Sequence, residues 1–384
     1  MWRHLASNAL TLLIVGMVVA IGALTWAQRQ YSATGPLAEA ICLKVPRGAN
    51  MHVVADLLVA QKAIDSPWLI RVGADYSGKA TQIKFGSYVI HERASMSEIV
   101  DLISESGHST CGAKVVYRVA VNSQIMRVQL REPDEDAFDV AAEFDPVSDE
   151  APTAYLKSLE DPATRYEIVI NEGVTSWRIV NALNAWDLFV GEIEDIPDEG
   201  TLAPDTFEVR PGADKADFLA SMAALQTKRL ADAWEGRSDV SPVKSIEEAL
   251  VLASIIEKET GLPEERRVVA SVFANRLARG IKLQTDPTVI YGVTQGRGVL
   301  GRGLRQSELR KETRWNTYII EGLPPTPIAN PGLASIEAAL NPDETEFIFF
   351  VADGSGGHAF AETLDEHNEN VARWRRIEAE RENQ

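Results

Sequence analysis

The sequence predicts an α+β protein with an N-terminal transmembrane helix, a small α+β module and a larger α+β domain. Three observations carry this. Residues 9–27 form a run of 19 residues without a charge. A strand, a glycine turn and a helix follow one another from Val45, and the same order returns 125 positions later from Ile170. An almost wholly apolar helix opens after Ser245 and stops at Gly261 and Pro263.

The uncharged run has the length of a bilayer's hydrocarbon core, about 30 Å at roughly 1.5 Å per residue. Arg3 and His4 precede it, and Trp2 and Trp26 stand where aromatic residues meet the two interfaces. A secretory signal peptide has a shorter apolar region ending at a small-x-small site, and Thr25-Trp26-Ala27 is a poor version of that site. The expectation is an uncleaved anchor at residues 9–27, with residues 1–8 in the cytoplasm and everything after Arg29 outside. Arg29 itself weakens the charge asymmetry.

Residues 41–107 read as the small module. Residues 41–45 and 85–90 are strand-like, Pro46-Arg47-Gly48 turns the chain, residues 51–60 are helical, and residues 95–104 form a helix ending near Gly107. Cys42 and Cys111 either pair in an oxidising compartment or remain two buried thiols. A bond closing a loop of about 70 residues contributes roughly 4 kcal/mol in the chain-entropy model. Residues 108–165 read as a connector. Within it, residues 131–153 hold nine acids against Arg131 alone, which marks a linker or an acidic surface insertion.

Residues 166–384 make the larger domain. Ser245-Ile246-Glu247-Glu248 is a capping box for the apolar helix. Pro263 is placed to start the next helix, which stops at Gly280. Residues 347–352 (FIFFVA) read as a buried strand, with a turn at residues 353–357.

The net charge of −18 makes a nucleic-acid partner unsuitable, because such binding rests on neutralising phosphates. Residues 257–314 run the other way, with twelve Lys and Arg against seven Asp and Glu, and point to an anionic ligand. No Cys/His spacing fits a metal site. Gly296-Arg297-Gly298-Val299-Leu300-Gly301 has dinucleotide-loop spacing, but no helix opens after it, so it reads as a glycine loop near a cleft. The serines sit in no nucleophile elbow. His358 and His367 are nine apart, which is not a ligand spacing, and His358 stands just past a strand where binding residues occur.

Glu257 and Glu259 sit at the end of the apolar helix. At about 100° per residue, Glu259 lies over Leu252 and Glu257 over Leu250. Partial burial and the negative end of the helix dipole both raise a carboxyl pKa there. A carboxylic acid still protonated near neutral pH suits general-acid cleavage of a glycosidic bond. The helix face alone does not separate the two glutamates.

Several runs, in order, resemble the endolytic murein transglycosylases of the YceG-like family. They are Pro204-Asp205-Thr206-Phe207, residues 253–260, Val272-Phe273-Ala274-Asn275-Arg276-Leu277, Gln284-Thr285-Asp286-Pro287-Thr288 within residues 283–292, Asn316-Thr317-Tyr318, Gly322-Leu323-Pro324-Pro325 with Pro327-Ile328-Ala329, and Phe350-Val351-Ala352-Asp353-Gly354 with Gly357-His358. The membrane helix and a LysM-like module at residues 41–107 match as well, while the acidic stretch 131–153 departs from the pattern. The resemblance implies a peptidoglycan lyase anchored in the inner membrane by one pass, with its catalytic domain in the periplasm. It would cut nascent glycan strands internally between N-acetylmuramic acid and N-acetylglucosamine, leave 1,6-anhydro-muramic ends and terminate elongation. The family's catalytic glutamate falls on Glu259. No metal or cofactor is implied, and the partners are glycan strands, the membrane, and synthases and transpeptidases of wall elongation. Glu257, Gln284, Thr285, Asp286, Asn316 and His358 are the candidates for the substrate groove, and Arg276 suits a peptide-stem carboxylate or a buried pair with Glu264 or Glu265. The rival readings are a hydrolytic muramidase using Glu257 or Asp286 as second carboxylate, and a non-catalytic peptidoglycan-binding scaffold.

Overall fold

The computed structural model describes residues 2–105, 110–132, 137–161 and 164–382. In chain order the first elements are α1 (Trp2–Tyr31), β1 (Ile41–Val45), α2 (Met51–Ala60), α3 (Pro67–Tyr76), β2 (Gly86–Ile90), α4 (Met96–Glu105), β3 (Gly112–Val119) and β4 (Gln124–Arg131). Then come β5 (Asp139–Phe144), α5 (Thr153–Glu160), β6 (Arg165–Ile170), α6 (Ser176–Ala185), β7 (Phe189–Val190), β8 (Thr206–Val209), β9 (Ala213–Asp214) and α7 (Lys215–Glu235). The chain continues through α8 (Ile246–Glu259), α9 (Arg266–Ala278), α10 (Asp286–Thr294), α11 (Gln306–Leu309), α12 (Leu333–Leu340), β10 (Phe349–Ala352), β11 (His358–Ala361) and α13 (Leu364–Glu382). It divides into two compact units. One comprises Met1–Val116, Met126–Phe144 and Asp149–Glu167, the other Tyr117–Ile125, Asp145–Ser148 and Ile168–Gln384.

In the first unit, α1 extends beyond the uncharged run at both ends. Its segment Leu10–Tyr31, 22 residues long, is long and apolar enough to cross a membrane. Strand β1 pairs antiparallel with β2, from Ile41 opposite Ile90 to Val45 opposite Gly86. Helices α2, α3 and α4 close a core around Leu43, Leu58, Ile70, Tyr88, Ile99 and Ile103. Asn50 caps α2 by accepting from the His52 and Val53 amides. Ser95 and Glu98 cap α4 reciprocally. Helix α3 was not expected, although Ser66 caps it and Pro67 sits in its first turn. Cys42 and Cys111 form a disulfide, with their Cα atoms 5.9 Å apart. The expected end of α4 at Gly107 lies outside the described residues.

Residues 108–165, read as a connector, carry regular structure. They hold β3, β4, β5 and α5, and within the first unit the strands run in the order β5-β4-β3-β6. The acidic stretch contributes β5, a mostly exposed strand paired with β4. Its charges suit an edge, where unpaired backbone groups otherwise recruit other chains.

In the second unit, β6 runs on beside β8. The repeated motif is present in both places: Gly48 between β1 and α2 and Gly173 between β6 and α6 hold φ of +72° and +77°. The core of this unit lies between α8, α9 and α12. Strands β10 and β11 pair as a hairpin, with Ala352 opposite His358, and α13 packs against it. The 347–352 run is half-buried rather than buried, and only its last four residues are strand. Pro263 does not open α9, which begins at Arg266. Thr260 instead donates its hydroxyl to Glu265 at 3.2 Å and accepts the Leu262 amide at 3.1 Å, so residues 260–265 fold as a turn.

Candidate active site

Helix α8 positions the site because it has no polar side to present. All eight residues from Ala249 to Ile256 are buried, Ser254 included. Ser245 accepts the Glu248 amide at 3.2 Å and fixes the start; Glu248 reaches the Lys244 amide rather than that of Ser245, so the capping box is half formed. The last turn then aims three consecutive residues in three directions, as about 100° per residue requires. Glu257 turns to α12, where it accepts the Gly332 amide at 3.1 Å and the Ser335 hydroxyl at 2.7 Å. Lys258 turns to the Gly173 carbonyl, 3.4 Å away. Glu259 turns to the start of α10 and accepts the Thr285 hydroxyl on Oε1.

Burial raises the Glu259 pKa above the ordinary carboxyl value. The Thr285 hydroxyl pulls the other way, the charge of Asp286 pushes further up, and His358 and Arg276 pull back. The net direction is upward, towards a carboxyl that holds its proton.

Thr285 is fixed from all sides. It is 2 % exposed. Its amide donates to the Thr317 hydroxyl at 3.0 Å, and its carbonyl accepts the Thr288 hydroxyl at 2.7 Å. The hydroxyls of Thr288 and Thr317 lie 2.8 Å apart. Gln284 precedes it with φ +52°, a left-handed conformation uncommon outside glycine. Its side chain is exposed and its amide donates to the Thr317 carbonyl at 3.2 Å. Asp286 is exposed at the first turn of α10 and accepts the Tyr318 hydroxyl at 2.7 Å. Burial raises the Tyr318 pKa, and the bond to Asp286 adds to it.

His358 opens β11. Its amide and its Nδ1 both lie 2.7 Å from the two oxygens of Glu265. Glu265 thereby fixes the ring's orientation.

The structure thus gathers Glu259, Thr285, Asp286 and His358, with Gln284 on the exposed side. It gives three other expected groove residues different partners. Asn316 is 0 % exposed and donates to the carbonyls of Glu308, Leu309 and Lys311, so it holds its own loop. Arg276 meets neither Glu264 nor Glu265. It donates to the Ile348 carbonyl at 2.6 Å and to those of Lys282 and Leu283 at 3.2 and 2.8 Å. So engaged, the guanidinium ties residues 282 and 283 to residue 348. Glu257 is likewise a tie to α12. Sequence reasoning missed Thr317 and Tyr318 as site residues although they lie in a quoted run, and it missed Glu265 as the partner of His358. No periodicity points to Glu265, whose partner lies 93 positions away.

The profile of the YceG-like family matches residues 43–373. The endolytic murein transglycosylase of Bacillus subtilis (strain 168) is 28 % identical over 327 residues, covering 85 % of this chain and 82 % of that protein. The endolytic murein transglycosylase of Streptococcus pneumoniae serotype 2 is 30 % identical over 184 residues, 45 % of this chain and 32 % of that protein. A solved YceG-like protein of Listeria monocytogenes superposes with a TM-score of 0.46 at 23 % identity, covering 86 % of this chain and 99 % of that one. The match over residues 43–373 takes in α8, the 282–285 loop and the hairpin that carries His358, and by it the chain belongs to the YceG-like family.

Proposed function

We propose that this protein is a peptidoglycan lytic transglycosylase that cuts glycan strands internally between N-acetylmuramic acid and N-acetylglucosamine, with Glu259 as its acid and base. The observation that carries the reading is the Glu259 carboxyl, desolvated at the end of a buried helix and held by Thr285. The names of the relatives agree with it.

Thr285 occupies Oε1, which leaves Oε2 to carry the proton. Protonated Glu259 gives that proton to the glycosidic oxygen as the bond to C1 of muramic acid breaks. The resulting carboxylate then takes the proton from the C6 hydroxyl of the same sugar. The C6 oxygen attacks C1 and closes a 1,6-anhydro ring, and Glu259 regains its starting state. One carboxyl therefore serves both halves. A hydrolytic route needs a second carboxylate to direct water or attack. Glu257 faces α12, and Asp286 is exposed and bonded to Tyr318, so the arrangement favours the one-carboxyl route. In this reading Asp286 raises the Glu259 pKa, and the His358–Glu265 pair and Gln284 line the sugar-binding side.

The surroundings extend the reading. Helix α1 serves as a single-pass inner-membrane anchor at residues 9–27, with the catalytic domain, residues 166–384, in the periplasm. The Cys42–Cys111 bond suits that oxidising compartment. Residues 41–107 act as a LysM-like glycan-binding module, and cutting nascent strands brings the enzyme beside the synthases and transpeptidases of wall elongation. Glu259→Gln keeps the size and an acceptor for Thr285 but delivers no proton. Release of 1,6-anhydro-muramic ends, measured by mass spectrometry of digested strands, is expected to fall by about 10²–10⁴-fold or more. Unchanged release by a folded Glu259→Gln protein, or reducing ends in place of anhydro ends, overturns the assignment.

A further inference from the structure

One residue away from Glu259 the molecule has a second feature. A cavity of about 540 Å³ opens beside α10, within the range of roughly 300–1,000 Å³ usual for small-ligand sites. Pro287, Ile290, Tyr291 and Thr294 line it; their spacing puts them on one face of α10. Its other side is the glycine loop that follows, with Val299 and Leu300, and Ile328 faces it as well. Lys258, Arg178 and Arg302 line it, and among the described residues no Asp or Glu does.

The three cations differ in how they are engaged. Arg302 is exposed and paired with Glu308 through both terminal nitrogens, at 2.6 and 2.9 Å. Among the described residues Lys258 has a single long bond, to the Gly173 carbonyl, and burial lowers its pKa. Arg178 is half-buried, and its Nε has no hydrogen-bond partner among the described residues. The acids whose charge reaches these groups are Glu199 and Glu257 for Lys258, and Asp145 for Arg178. Burial pushes the Glu199 carboxyl up to about 7, so near neutral pH it cancels only part of the Lys258 charge. Glu199 accepts the Ser176 amide at 3.1 Å, and a Cβ on Gly296 would come within 2.9 Å of its Oε1. Thr175 anchors the same turn by donating to the Gly296 carbonyl at 2.7 Å.

We infer that this cavity is the subsite for the peptide stem of the muramic acid at the cut, with Lys258 and Arg178 taking its carboxylates and the α10 face and glycine loop taking its small apolar side chains. The inference rests on the peptidoglycan reading above and gives it a specificity element. A stem peptide carries alanine methyl groups and carboxylates in alternation, which matches an apolar cavity with two under-engaged cations. A bare glycan strand has neither. The arrangement also relocates the anion site expected at Arg276, whose guanidinium is already bound to three carbonyls.

The test is equilibrium binding to the full-length Glu259→Gln protein in detergent, which removes turnover from the measurement. The probes are N-acetylmuramyl-L-alanyl-D-glutamate, its isoglutamine form with one carboxylate neutralised, and chitotriose. The dicarboxylate form is expected to bind about tenfold or more tighter than the isoglutamine form. Arg178→Met and Lys258→Met are each expected to lower its affinity about tenfold or more and to remove its advantage over the isoglutamine form. The proposal is overturned if the two muramyl peptides bind alike, if chitotriose displaces the dipeptide as well as the dipeptide itself does, or if either folded variant keeps the full preference. The first two comparisons need no substitution in the cavity. Failure of the transglycosylase reading shows separately, as an absence of anhydro ends from the unmutated chain.

Discussion

The Thr285 hydroxyl bonds the carboxyl oxygen of Glu259 in a site that is otherwise hostile to charge. Thr285→Val removes the donor and keeps the shape of the side chain. A hydrogen bond to a charged group contributes about 1.5–3 kcal/mol, and here it favours the carboxylate over the acid. Losing it should therefore raise the Glu259 pKa further. The rate of anhydro-end release under saturating strand is measured from pH 4 to 10. The alkaline limb, where Glu259 loses its proton, is expected to move to higher pH, and Thr285→Ser should leave it in place. Stability follows the same sign. With the folded pKa raised further above the unfolded one, Thr285→Val costs nothing below the ordinary carboxyl pKa. It costs roughly 1.5–3 kcal/mol above the folded value. An alkaline limb that stays put, or moves down, refutes the view that Thr285 tunes the acid.

Glu257→Gln keeps an acceptor for the Gly332 amide and the Ser335 hydroxyl. It should cost about 1 kcal/mol of stability and less than about tenfold in anhydro-end release; a loss as deep as that of Glu259→Gln would mean the wrong glutamate carries the proton. Glu199 has its pKa raised from 4.5 to about 7, so its charged form costs the folded state nothing below pH 4.5 and the full amount above pH 7. Glu199→Gln should therefore stabilise the full chain at pH 8 by up to about 3 kcal/mol and leave it unchanged at pH 4; denaturant titrations at the two pH values check this, and equal effects at both contradict it. The intact chain should fractionate with the inner membrane and begin at its first residues, whereas N-terminal sequencing that starts near Gln28 points to a cleaved signal.

What was legible in the sequence was whatever local rules decide. The α8 helix is announced by Ser245 and Glu248 at one end and Gly261 at the other, and α2 and α4 by similar means. Gly48 and Gly173 marked their turns because only glycine enters a left-handed turn without strain. Strand β5 was hidden by its own acids, which an exposed edge tolerates. Pro263 misled because the turn from Thr260 to Glu265 is held by side-chain bonds that no propensity encodes. In the site, the raised pKa of Glu259 was readable from the apolar helix, but its choice over Glu257 needed the resemblance. The structure gives the two side chains different surroundings, since neighbouring residues on one turn face different elements. Arg276 and Asn316 read as ligand contacts because polar residues in quoted runs look alike whether they bind a substrate or a carbonyl.

Arg276 carries a practical consequence for re-engineering this enzyme. One side chain on α9 fastens Ile348, which leads into β10, to the loop that aims Thr285. Lysine there supplies charge but no fork, so an exchange usually counted as mild would release two segments at once. A library restricted to groove-facing positions would never sample it. A broader screen would record Arg276 variants as inactive proteins with intact surfaces, and the lesion would lie in registration rather than in recognition.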